Sequence, residues 1–184
     1  MRNIVLVSLI VIGMTLSLSA QAPRAEVFGG YQFTHASASG ESANFNGWNA
    51  SVTGNINRWF GVTADFSGSY DSESVSGIAG LGDLGGSIHA YTYTFGPVVY
   101  ANHEGTFSPF VHALFGGANL GASVSGAGSG STNGFAVIAG GGADAKLSPH
   151  LAVRLFQADY VYLHFDGGSL NKNVRVSTGL VFRF

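Results

Sequence analysis

The chain has 184 residues, enough for one domain, with 46% hydrophobic residues, 28 glycines, no cysteine and only 10% Asp, Glu, Lys and Arg. A water-facing domain usually carries roughly 25–35% of those charged residues on its surface, so this composition cannot dress a solvated exterior in that way, and disulfide staples are ruled out. The net charge of −2 supplies no clustered basic footprint for nucleic acid.

Residues 1–22 read as an export signal. Arg2 gives the positive start, Ile4 to Leu18 is an apolar run, and the small residues Ser19, Ala20 and Ala22 follow. Ala20-Gln21-Ala22 looks like a cleavage site, but Pro23 sits just behind it, which leaves a cut one to three residues earlier open. The alternative, an uncleaved anchor, needs about 20 apolar residues, more than this run holds. Beyond it no apolar run is long enough for a helix to cross a membrane.

Residues 23–184 show period-two alternation in segments of about ten residues, the signature of strands that cross a membrane. Eight runs are predicted: 26–35, 46–56, 60–71, 88–100, 106–118, 134–147, 151–165 and 173–184. In the second, Trp48, Ala50, Val52, Gly54 and Ile56 alternate with Asn49, Ser51, Thr53 and Asn55. In the third, Phe60, Val62, Ala64, Phe66, Gly68 and Tyr70 alternate with Gly61, Thr63, Asp65, Ser67 and Ser69. In the last, Val174, Val176, Thr178, Leu180, Phe182 and Phe184 oppose Arg175, Ser177, Gly179 and Arg183.

The connections alternate in kind. Stretches 36–45, 72–87, 119–133 and 166–172 are long and rich in Gly, Ser and Ala, the composition of solvated loops. Asn57-Arg58-Trp59, Ala101 to Gly105 and Ser148-Pro149-His150 are short turns. Long connections on one side and tight turns on the other predict an all-β, closed, eight-stranded antiparallel transmembrane barrel of up-and-down topology, with both termini on the short-turn, periplasmic side. That topology sorts the aromatics into two interface levels. Trp48, Tyr70, Tyr91, Tyr93 and Phe135 fall near the outer end; Trp59, Phe60, Tyr100, Phe107, Phe182 and Phe184 fall near the periplasmic end. A soluble lipocalin-like barrel is the competing reading of the alternation, but the sparse charge and the aromatics at strand ends weigh against it.

Two runs depart from simple alternation. Phe110, His112 and Leu114 share the inward face of the fifth. Arg154 and Asp159 have opposite parity in the seventh, which predicts a one-residue bulge between them if both point inward. Gly140-Gly141-Gly142 predicts a bend, or a close approach of side chains from across the barrel.

At this point the chain resembles the small outer-membrane β-barrel family typified by the transmembrane domain of OmpA. The resemblance rests on Phe28-Gly29-Gly30-Tyr31, Asn46-Gly47-Trp48-Asn49, Ser108-Pro109-Phe110, Val153-Arg154 and the terminal Ser177-Thr178-Gly179-Leu180-Val181-Phe182-Arg183-Phe184. It implies contact with outer-membrane lipid and insertion by the barrel-assembly machinery, with Phe184 as the assembly signal. Larger members continue into a peptidoglycan-binding domain; the chain ends at the barrel, so that activity is not carried over.

Eight strands enclose a lumen just wide enough for side chains to fill. The inward face offers Asp65, Asp144, Lys146, Arg154, Asp159, Arg175 and Arg183, and enclosed charges need partners, so a lumen ion-pair network is expected. It reads first as a structural plug and second as a narrow pore. His35, His89 and His164 near the outer rim, with Ser74, Ser87, Asp71 and Asp166, could be drawn as a hydrolase triad acting on lipid or as a metal cluster. No motif sets a serine beside a histidine and no metal-ligand spacing is present, so no catalytic, cofactor or metal site is assigned. The function expected is a structural or interaction role in the envelope. The outer loops are available to a surface partner, as an adhesin would use them, although residues 117–134 contain no aromatic to anchor a binding hot spot.

Overall fold

The computed structural model describes residues 23–38, 41–71, 86–124, 128–165 and 168–184. The export-signal reading of residues 1–22 lies outside them. The described residues form eight strands: β1 (Ala25–Ala38), β2 (Glu41–Asn55), β3 (Phe60–Asp71), β4 (Gly86–Tyr100), β5 (Phe107–Val124), β6 (Gly128–Ser148), β7 (Leu151–Phe165) and β8 (Gly168–Arg183). Each pairs antiparallel with its sequence neighbour, and β1 closes on β8 with Glu26 opposite Arg183. Closure gives every strand two partners, the condition for a sheet to exist in lipid.

The alternation read from the sequence becomes an inside-out protein. Asn49, Ser51, Thr53, Thr63, Asp65, Ser67 and Ser69 are buried, while Trp48, Val52, Val62, Phe66 and Tyr70 are exposed. On β4 and β5 the exposed residues include Phe95 at 65% and Val111 at 60%. A soluble barrel would need the opposite arrangement. The bulge in β7 lies where parity demanded it: Arg154 pairs with Asp144 and Phe156 with Ala143, so Leu155 is the extra residue. Leu155 and Phe156 both face outward, which lets Arg154, Gln157 and Asp159 all face inward.

The far end, opposite the termini, differs from expectation. Stretches 36–45, 119–133 and 166–172 are largely strand rather than loop. The β5–β6 ladder continues from Ala118↔Gly134 to Val124↔Gly128, and β1–β2 from Ala36↔Ala43 to Ala38↔Glu41. A ladder already formed extends cheaply, because each added pair satisfies backbone donors and acceptors, and small residues do not obstruct it. About 9–11 residues suffice for a tilted strand to cross the bilayer, and β6 has 21. The β5–β6 ribbon therefore projects beyond the membrane, and its Gly128–Asn133 segment runs past the last β6–β7 pair at Gly134↔Phe165.

Candidate functional site

The lumen is the place where chemistry-bearing side chains converge. At the short-turn end, Asn102-His103-Glu104-Gly105 joins β4 to β5. Asn at the first and Gly at the fourth position suit a type I turn, and the Gly105 N–H reaches the Asn102 carbonyl at 3.4 Å. The turn puts His103 inside the barrel mouth, 2% exposed, with its ring stacked 4.0 Å from that of Tyr100. His103 Nε2 lies 2.8 Å from Glu26 Oε1, and the Tyr100 hydroxyl donates to Glu26 Oε2 at 2.9 Å. Arg183 Nε is 2.8 Å from the same Glu26 Oε1, an ion pair lying off the axis of a hydrogen bond.

Deeper in, Arg154 grips Asp144 through Nε at 2.8 Å and a second nitrogen at 3.2 Å. Its guanidinium sits between the rings of Phe28 and Phe110, 4.3 and 4.4 Å from their centroids, a cation–π sandwich. Arg154 also donates to Gln157 at 2.6 Å, and Gln157 donates to Asp159 at 2.7 Å. Arg175 donates twice to Asp159, at 2.9 and 2.6 Å, and once to Asp65 at 2.9 Å. Asn49 donates to Asp65 at 2.9 Å, and His112 Nε2 lies 2.8 Å from Asp159 Oδ1. A Cβ on Gly140 would stand 2.2 Å from Asp159 Oδ1, so glycine there is what lets the carboxylate reach His112.

A longer ion pair, 3.9 Å from Arg183 to Asp144, links the two clusters. The result is one chain of polar contacts with a member on each of the eight strands, from Glu26 on β1 through Asn49, Asp65, Tyr100, His112, Asp144 and Arg154 to Arg175 and Arg183 on β8. Four carboxylates face three guanidiniums. Buried pairs add little net stability over well-packed apolar residues, because desolvation offsets attraction, but each pair specifies which strands meet and in what register. Towards the far end, Leu114, Ile138 and Val161 fill the β5–β7 side with Leu163 packed against them. On the β1–β4 side, Gln32 donates to Ser69 at 2.7 Å, and Ser67 meets Thr92 at 2.7 Å.

Of the residues singled out from the sequence, Asp65, Asp144, Arg154, Asp159, Arg175 and Arg183 come together in this chain. Lys146 does not. Its side chain is exposed at the short-turn rim, two residues past Asp144 and beside a register irregularity, where an ammonium stays in water. Tyr100 is also corrected: it is 1% exposed and faces the lumen rather than the lipid interface. Tyr91, Tyr93, Phe95 and Val99 take the outward parity of β4, which turns Tyr100 inward. Glu26, Gln157 and His103 are network members that the sequence reading missed. Glu26 had a signal, since it shares the inward parity of Phe28 on β1; the inward tuck of His103 had none. At the far end the histidines lie apart: His35 meets Asn44 at 2.8 Å and His89 leans on Tyr91. Among the described residues no group of three metal-ligating side chains assembles.

The outward aromatics form a belt. Trp48 Nε1 donates to the Tyr70 hydroxyl and Tyr70 to that of Tyr91, each at 3.2 Å, while Tyr31 bonds Asn46. Trp48 and Tyr91 cover Gly68. Trp59, Phe107, Phe182 and Phe184 are exposed at the other end. The family model described as "Outer membrane protein beta-barrel domain" matches residues 4–184. The chain belongs to that family. As an outer membrane protein β-barrel domain, it lies in the bacterial outer membrane with its apolar belt against lipid. Among curated proteins, none matches the chain at a significant level. Solved structures do. Ail of Yersinia pestis is 22% identical with a TM-score of 0.63, over 87% of this chain and 97% of that one. Neisserial surface protein A is 15% identical with a TM-score of 0.66, over 87% and 97%. The N-terminal barrel domain of OprF from Pseudomonas aeruginosa is 11% identical with a TM-score of 0.57, over 89% and 100%. At these identities the likeness is one of fold.

Proposed function

We propose that this outer-membrane barrel is a structural element of the envelope, closed to solutes, whose lumen network staples its strands and whose far-end ribbons are available for contact. The observation that carries the reading is the continuous chain of ion pairs and hydrogen bonds from Glu26 to Asp65, joined through Gln157 between Arg154 and Asp159, which occupies the lumen where a pore would need water. No catalytic step and no cofactor are assigned. Residues 1–22 serve as the export signal in this reading. Phe184, whose backbone N–H bonds Ala25 O at 2.9 Å while its ring is exposed, serves as the mark recognised by the barrel-assembly machinery.

The contact partner proposed for this chain differs in charge class from the heparin analogue sucrose octasulfate, which is bound in a structure of Ail. In sequence, stretches 36–45, 71–87 and 166–172 carry Glu41, Asp71, Glu73, Asp83 and Asp166 against Lys172 alone. That balance repels polyanions and favours neutral or cationic partners. The test of the reading pairs two measurements. Deleting the gene should sensitise the cell to detergent stress, with rescue by the intact chain, and purified protein in planar bilayers should give no conductance steps. Steady conductance would replace the structural reading with a pore.

A further inference from the structure

The turn that carries His103 joins β4 to β5, and in a ring of eight strands that hairpin is diametrically opposite the seam where β1 closes on β8. His103 nevertheless meets Glu26, which stands on that seam facing Arg183. The side chain therefore reaches from the opposite wall and bridges the barrel mouth. Its ring lies flat against Tyr100, with an interplanar angle of 9°, and Tyr100 shares the same carboxylate. The turn around it is solvated: Ala101, Asn102, Glu104 and Thr106 are exposed. One buried imidazole on an otherwise exposed turn is the geometry of a stopper, not of a packed core element. Its hold is local, because among the described residues its one hydrogen-bond partner is Glu26, and His103 Nδ1 makes no hydrogen bond there.

We infer that the β4–β5 turn is a latched stopper, with His103 as the bolt and Glu26 as the keeper, that controls access of water and small solutes from the short-turn mouth to the ionic lumen. The groups facing the bolt are Glu26 on β1, Tyr100 on β4 and, through Glu26, Arg183 on β8, with Asp144 and Arg154 next along the chain. With the bolt in place these charges interact in a dry interior; with it withdrawn, water reaches them and weakens every pair. The strands do not depend on the latch, since the β3–β4, β4–β5 and β1–β8 ladders run to the short-turn end through pairs that do not involve His103, Tyr100↔Phe110 on β4–β5 among them.

The sequence contains no cysteine, so a single introduced thiol reports cleanly. Ser108 is 1% exposed, faces inward beside Asp144 just above the stopper, and its hydroxyl makes no hydrogen bond. The experiment compares S108C with S108C/H103A and S108C/H103Q, each folded in detergent micelles and treated with a charged, water-soluble methanethiosulfonate. An E104C variant, on the exposed part of the turn, calibrates full reactivity. The latch predicts slow labelling of S108C and labelling at least about tenfold faster in S108C/H103A, the ratio equivalent to about 1.4 kcal/mol. S108C/H103Q, whose amide can still bond Glu26, should remain protected. All variants should keep the heat-sensitive migration of a folded barrel. Equal labelling with and without His103, whether fast or slow, overturns the stopper. Loss of the folded band in H103A overturns it too, by making His103 a keystone of the fold instead of a latch.

Discussion

Replacing Arg175 with methionine removes a lumen cation that donates to two carboxylates while keeping much of its apolar volume. The guanidinium is 2% exposed and makes three contacts with two carboxylates, at 2.6 and 2.9 Å to Asp159 and at 2.9 Å to Asp65. Methionine would leave both carboxylates enclosed without their cation. Asp65 would keep Asn49, and Asp159 would keep His112 and Gln157, so the loss falls short of full desolvation. Breaking a buried pair from one side costs roughly 3–5 kcal/mol, and that is the loss expected here. The triple variant R175M/D65N/D159N removes the charges together and should return to within about 1–2 kcal/mol of the parent, because the penalty belongs to the unpaired charge and not to the absent attraction. Urea unfolding in lipid vesicles, followed by the migration of unboiled samples on a gel, measures both. A single variant that loses less than about 1 kcal/mol, or a triple variant as unstable as the single one, would refute the argument that buried charge dominates this site.

Three further outcomes follow from the geometry. G140A should cost about 1–3 kcal/mol in the same assay, because the added methyl meets Asp159 Oδ1 at 2.2 Å and Ala158 O at 2.3 Å, and neither can retreat without losing a bond. V111R, on a lipid-facing residue that is 60% exposed, should cost roughly 2–4 kcal/mol in vesicles, whereas T132R on the projecting ribbon should change stability by no more than about 0.5 kcal/mol. Deleting Leu155 removes the bulge and forces either Arg154 or Asp159 towards lipid; the folded band should disappear, a loss of about 5 kcal/mol or more.

Much of this was legible in the chain because a barrel wall has a strict period of two and a side chain must face either lipid or lumen. The parity conflict between Arg154 and Asp159 called for a bulge between them if both faced inward, since one charge would otherwise face lipid, and the strand pairing puts it at Leu155. Tyr100 was misread because nearness to a strand end was allowed to outweigh its parity. The far-end ribbons were invisible for a different reason. Gly, Ser and Ala report that a segment has no strong preference of its own, and whether 119–133 pairs depends on the neighbouring strand, which composition does not encode. Lys146 shares the parity of Asp144 but sits at the rim, where depth and not face decides its surroundings. The tuck of His103 depends on the direction a turn folds, and Asn-His-Glu-Gly specifies the turn without specifying that direction.

The central claim, an inside-out barrel closed on itself in the outer membrane, is tested most directly by the migration of outer-membrane-extracted protein on a gel with and without boiling. The account predicts recovery in the outer-membrane fraction and a distinct unboiled band that shifts on heating, as a closed, detergent-resistant barrel requires. Recovery from the soluble periplasmic fraction, with identical bands before and after boiling, would contradict it.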